Sequence, residues 1–134
     1  MAKPLRTRPV SAAQVRAYSA KADEYAEAAA NELAAGRCIA ATSLAIHAAI
    51  NAADAVCGAR VGVRAAGEDH DQVLGLLRQA GKDGAEIEVE LRRLLPLKTK
   101  AEYEPDDVAR SVAAKAVERA ARCAAVARRV AFAA

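Results

Sequence analysis

One apolar segment, residues 38–56, carries a short row of polar side chains. They recur at spacings of four, four and three residues: Ser43, His47, Asn51 and Asp54. On a helix this spacing places all four within about 80° of one another. Polar groups on an uncharged helix face are either hydrogen-bonded inside the fold or exposed in a groove. The row therefore predicts a binding cleft or a buried network in which Asp54 pairs with an arginine and His47 with a backbone carbonyl.

A second chemically capable group is the run Asp69-His70-Asp71. Carboxylates and imidazole are metal ligands, but adjacent residues on a helix diverge by about 100°, so the three cannot converge on one ion. We therefore expect Asp69 to cap a helix and expect no metal site or other cofactor. The three cysteines, Cys38, Cys57 and Cys123, are far apart and form no CxxC pair, which predicts buried thiols in a reducing compartment.

A third group is the cationic segment Leu97–Pro105, which contains Lys98, Lys100 and Tyr103. A solvated turn explains it, and so does a phosphate contact, because a lysine binds phosphate as a point charge. A tyrosine phenol is a poorer general base at neutral pH than an imidazole is.

The composition limits which folds can position these groups. The 134 residues include 38 alanines, four aromatic residues and no tryptophan, and the net charge is +3. Alanine favours helices over strands, so the chain is predicted to be all-α. The shortage of aromatic rings disfavours an RNA-binding surface that stacks bases. No run of about 18 uncharged apolar residues and no signal segment are present, which predicts a cytoplasmic protein without a membrane span.

Helical periodicity and capping residues divide the chain into one arm and five helices. Ser11 and Gln14 form a capping box, Gly36 and Gly58 are expected to end the first two helices, and Pro96 is expected to break or bend the fourth. Residues 97–104 allow a last helical turn and then a loop. The prediction is a flexible arm over 1–10 and one domain over 11–132, with helices over about 12–35, 37–56, 70–80, 85–95 and 105–132.

The order of these elements resembles the HEPN superfamily of small helical domains. The stretch AKADEYAEAAANELAAGRCIAATSLAIHAAINAADAV, residues 20–56, is similar to the first two family helices. The segment LKTKAEYEP, residues 97–105, is similar to the family form Leu-Arg-x-x-Ala-Asp-Tyr-x-Pro. The resemblance covers roughly residues 11–132 and implies a five-helix up-and-down bundle.

The resemblance also implies a site and partners. Active family members carry an Arg-x(4–6)-His motif that faces a polar residue of helix two across a dimer cleft and cuts RNA without a metal. Lys98 matches the arginine, whereas Tyr103 stands where the histidine belongs. Asn51 and Asp54 are the candidates for the polar partner, and His47 or His70 would supply the imidazole only if it lies near Lys98. A minimal nucleotidyltransferase in a toxin–antitoxin-type pair is the protein partner that the resemblance implies.

Three functions follow as hypotheses. The first is a HEPN-like homodimer, without efficient catalysis, that binds a nucleotide, RNA or protein in a cleft. The second is a metal-independent ribonuclease in which Lys98 holds phosphate and His47 or His70 transfers protons. The third is a structural module whose alanine-rich faces dock another helix. The expected cleft residues are Ser43, His47, Asn51, Asp54, Lys98, Lys100 and Tyr103.

Overall fold

The computed structural model describes residues 5–67 and 69–133, and within them the chain is all-α apart from one small sheet. Six helices are present rather than the five predicted. They are α1 (Ala12–Ala34), α2 (Cys38–Val61), α3 (His70–Gln79), α4 (Gly81–Leu94), α5 (Pro96–Tyr103) and α6 (Arg110–Ala131).

Helix α1 begins as the sequence predicts. The Ser11 side chain accepts a hydrogen bond from the Gln14 backbone N–H, and the Gln14 side chain accepts one from the Ser11 backbone, so the capping box is complete. Helix α2 differs from its prediction, because it runs past Gly58 and ends at Gly62, whose φ of 80° is left-handed. Glycine adopts this conformation without the steric penalty of a side chain, so Gly62 is the C-cap that Gly58 was expected to be.

Pro96 begins a helix instead of leaving a loop. It occupies the first turn of α5, where a missing backbone N–H removes no helical hydrogen bond. Residues 97–103 are therefore helical. The predicted start of the last helix at Pro105 is wrong: α6 begins at Arg110, with Ala109 as its N-cap and without a side-chain cap.

Two short strands lie outside the helices. Strand β1 (Thr7–Pro9) pairs antiparallel with β2 (Val63–Ala65), with Arg8 opposite Arg64. The second half of the predicted flexible arm is thus hydrogen-bonded to the chain that follows α2. Residues 1–4 of that arm lie outside the described residues.

Helix α2 lies at the centre of the molecule and packs against α1, α6, α4, α5 and α3, while α6 also packs against α1 and α4. Most of its inward positions are fully buried alanines, which let neighbouring helices approach closely. Within the described part of the chain, α2 is long and apolar enough to cross a bilayer by length and composition, and 61% of its most apolar window is buried inside the fold. A core helix of a globular domain has the same properties.

The cysteines remain free thiols, and two of the three are buried as predicted. Burial raises the pKa of Cys57 and of Cys123 to about 12, so neither is a reactive thiolate at neutral pH. Cys38 departs from the prediction, because it is the first residue of α2 and is half-buried.

Candidate functional site

Helix α5 places a carboxylate against the polar face of α2. Glu102 Oε1 lies 3.5 Å from His47 Nε2, and Ser43 Oγ donates a hydrogen bond to the same oxygen at 3.4 Å. Ser43 and His47 are one helical turn apart, so both reach one acceptor on the neighbouring helix. The first half of the predicted polar row therefore faces α5.

The His47 imidazole is held from two sides. Its ring centroid lies 5.6 Å from that of Tyr25 on α1, with the two planes tilted by 32°. Its side chain is 44% exposed and that of Glu102 is 20% exposed, so solvent reaches the pair. An ion pair this exposed contributes at most about 1 kcal/mol to stability. In this contact the Nε2 edge of the ring faces the carboxylate.

His70 and Lys98 belong to the same neighbourhood. Partial burial lowers the pKa of His70, and the positive charge of Lys98 lowers it further, while Asp69, Glu102 and Asp71 act in the opposite direction. Lys98 and Glu102 are four residues apart on α5 and so lie on one face of it. We call Ser43, His47, His70, Lys98 and Glu102 the α2–α5 cluster.

The run Asp69-His70-Asp71 caps a helix, as the sequence predicts. The Asp69 side chain accepts a hydrogen bond from the Asp71 backbone N–H at 2.9 Å, and α3 begins at His70. Over residues 5–67 and 69–133, no group of three or more His, Cys, Asp or Glu side chains has the arrangement of a metal site.

The second half of the polar row, Asn51 and Asp54, lies outside the α2–α5 cluster. The Asn51 side chain donates a hydrogen bond to the His47 backbone carbonyl at 2.8 Å, so it is satisfied within its own helix. His47 pairs with Glu102 instead of with the backbone partner proposed for a buried network.

Asp54 faces a different part of the molecule. Burial raises its pKa to about 7, and the positive charges of Arg64 on β2 and Lys21 on α1 oppose this rise. The Asp54 carboxylate forms no hydrogen bond or ion pair within the described ranges, so the predicted pairing with an arginine is not made. Arg64 instead donates to the Ala65 carbonyl and lies 6.0 Å from the centroid of the Tyr18 ring.

Lys100 and Tyr103 point away from the cluster. Tyr103 is 74% exposed. It follows Lys98 by five residues, which places it about 140° away from Lys98 around the helix axis. Lys100 is exposed as well. Of the seven expected cleft residues, the structure brings together Ser43, His47 and Lys98, with His70 added from α3.

Glu102 is the residue of the α2–α5 cluster that the sequence analysis does not include. Its spacing of four from Lys98 was visible, but residues 97–104 were not assigned to a helix, so the shared face was not recognised. The cluster borders an open groove of about 790 Å³ between the start of α2 and the chain around Val108. Ser43 and Glu102 line one end of this groove, and Cys38, Ile39 and Asp107 line other parts of it.

Neither a family model nor a curated protein matches this chain. The chemistry of the α2–α5 cluster must therefore be argued from its own groups. Two imidazoles, one ammonium, one carboxylate and one hydroxyl are groups of the kinds that contact phosphate oxygens and exchange protons.

Proposed function

We propose that this chain is a HEPN-like helical module that binds RNA or a nucleotide by its phosphate at the α2–α5 cluster. The observation that carries the proposal is the contact between His47 and Glu102, with Lys98 four residues before Glu102 on α5 and with both α5 charges near enough to influence the pKa of His70. The order of the helices and the LKTKAEYEP segment support the HEPN part of the proposal by resemblance alone.

Charge explains how such a site would hold phosphate. Lys98 provides a permanent cation, and protonated imidazoles provide two more donors. Glu102 opposes an anion in the same place, so it limits affinity while it orients His47. Binding is therefore expected to be modest at neutral pH and stronger in acid, and burial and the charge of Lys98 lower the pKa of His70, so its protonation requires a more acidic solution than that of an ordinary imidazole.

The experiment is a fluorescence-anisotropy titration of a short single-stranded RNA at low salt. Lys98→Ala is expected to weaken binding about tenfold, the effect of one lost charge-assisted contact. Glu102→Gln is expected to strengthen binding several-fold because it removes a negative charge at the phosphate. Lys82→Ala, which removes an exposed cation from α4, is the control for net charge. Equal affinity of Lys98→Ala and Lys82→Ala would refute the site.

The proposal includes a homodimer, because the alanine-rich core buries little apolar area for its length. Light scattering at micromolar concentration tests this part separately, and a monomer would contradict it. A minimal nucleotidyltransferase is the protein partner proposed by resemblance. Co-purification of the two chains in a fixed ratio is the corresponding test.

A metal-independent ribonuclease is the second candidate function. The observation that favours it is the His47–Glu102 contact, because a carboxylate that orients an imidazole is a common acid–base arrangement. Cleavage of RNA in EDTA that is lost in His47→Ala and reduced in Glu102→Gln would establish this activity. Glu102→Gln separates the two functions, since it should strengthen binding and weaken cleavage. Absence of cleavage by the wild-type protein would leave the binding function alone.

A further inference from the structure

A second group of cations surrounds a pocket on another face of the molecule. The pocket has a volume of about 360 Å³ and lies between the end of α4, the start of α5 and the first half of α6. We call it the α4–α6 pocket, and its lining residues are Arg93, Leu97, Val112, Lys115, Ala116 and Arg119. Three of the six are cations, the other three are apolar, and none is acidic.

The nearby carboxylates are already engaged. Glu90 is buried and binds Arg119 at 3.0 Å and Arg122 at 2.9 Å, while Glu88 pairs with Arg78 and Arg92. Within the described parts of the chain, neither Arg93 nor Lys115 forms an ion pair. Glu118, which lies beside Lys115 and Arg119 on the adjoining surface, contacts Arg122 at 3.8 Å. Arg93 and Lys115 are therefore the two cations of the pocket that have no carboxylate of the described residues within ion-pair distance.

Arg119 is positioned for a ligand before one arrives. Its Nη1 donates to Glu90 Oε1, and its side chain is only 21% exposed, so the buried carboxylate restricts the orientation of the guanidinium. A planar guanidinium held in this way presents its remaining N–H groups as a fork that matches two phosphate oxygens. Lys115 lies one helical turn before Arg119. Like charges at this spacing destabilise a helix, and an anion bound between the two side chains would reduce their repulsion.

We propose that the α4–α6 pocket is a phosphate-binding site, distinct from the α2–α5 cluster. Arg93, Lys115 and Arg119 contact the phosphate oxygens, and Leu97, Val112 and Ala116 form the apolar floor. The ligand class is a phosphate group of a phosphodiester backbone or of a small phosphorylated molecule. This site does not depend on the function proposed above, because it uses none of the same residues.

The test is an NMR titration of the backbone amides with inorganic pyrophosphate and, in a second arm, with a short single-stranded RNA, both at constant ionic strength. We expect chemical-shift changes at Leu97, Val112, Lys115 and Ala116. The double variant Arg93→Gln with Lys115→Gln is expected to bind the effective probe at least tenfold more weakly, about the effect of one lost charge-assisted contact. Its control is Arg16→Gln with Lys82→Gln, which loses the same two charges from exposed positions elsewhere.

Each outcome decides the proposal. Binding of either probe that the Arg93/Lys115 variant loses and the control retains supports the site. Binding of pyrophosphate alone identifies a small phosphorylated ligand, and binding of RNA alone identifies a phosphodiester backbone. If neither probe shifts these amides, or if both double variants weaken binding equally, the site does not exist. Lys98→Ala serves to separate the two sites, because it should leave pyrophosphate binding at the α4–α6 pocket unchanged.

Discussion

The Asp54 carboxyl group lies largely out of water, near the cations Lys21 and Arg64. Its pKa of about 7, against an ordinary 3.8, means that burial favours the protonated form more than those cations favour the charged one. Because the folded pKa is the higher of the two, the contribution of Asp54 to stability is full below pH 4 and is lost as the pH rises through 7. The protein is thus expected to be less stable at pH 8 than at pH 5.

Asp54→Asn tests this expectation, since an amide keeps the shape and cannot ionise. At pH 8 we expect the variant to be more stable than the wild type by up to about 4 kcal/mol, because each of the roughly three units of pKa difference corresponds to about 1.4 kcal/mol. Urea unfolding at pH 5 and pH 8 measures the free energy of unfolding of both proteins. Asp106→Asn, at an exposed position ahead of α6, is the control. The prediction would be contradicted if Asp54→Asn lost as much stability between pH 5 and pH 8 as the wild type does.

The polar row on α2 shows what residue spacing can and cannot predict. Spacing correctly placed Ser43 and Asp54 on one face, but a rise of about 1.5 Å per residue separates them by about 16 Å along the helix. Ser43 therefore faces α5, whereas Asp54 lies near β2 and α1. Which element packs against each turn of a helix depends on tertiary packing, which a single sequence does not reveal.

At the scale of secondary-structure elements, glycine and proline do not always end a helix in this protein. The sequence predicted the start of α1 and the cap of α3 because those signals are local hydrogen bonds. It misplaced the end of α2 and missed α5, because Gly58 and Pro96 were interpreted as breaks. Gly58 is buried within α2, and an added Cβ there would lie 2.6 Å from Val10 Cγ1 and 3.0 Å from Val15 Cγ2.

Gly58→Ala is therefore expected to destabilise the protein, although alanine is the better helix former. Overpacking typically costs about 1–3 kcal/mol, which exceeds the gain of about 1 kcal/mol in helix propensity. Gly75→Ala in α3 is the matched control, because nothing lies within 4 Å of its added Cβ and it should stabilise the protein slightly. Thermal unfolding of the two variants compares them, and a Gly58→Ala protein as stable as Gly75→Ala would show that Val10 can move aside.

At the scale of the whole molecule, ion pairs join helices that are far apart in sequence. Arg128 on α6 binds Asp23 on α1 at 2.6 Å. Asp83, near the start of α4, accepts hydrogen bonds from Arg60 at the end of α2 at 2.7 Å and from Arg129 at the end of α6 at 2.8 Å. Net charge and composition do not predict these pairings, because the partners are brought together only by the packed bundle.

Asp83 is expected to be the more important of the two acids for stability. Hydrogen bonds from Arg129 and Arg60 lower its pKa, and its side chain is 17% exposed, against 37% for Asp23. A folded pKa below the ordinary value means that this contribution is present above pH 4 and is lost as the pH falls through the folded pKa. Asp83→Asn should then cost about 1–2 kcal/mol at pH 7 and less at pH 3, below the ordinary pKa of 3.8, whereas Asp23→Asn should cost less than about 1 kcal/mol at pH 7. Urea unfolding of both variants at the two pH values measures these costs, and equal costs at pH 7 would show that joining three helix ends adds nothing to a single surface pair.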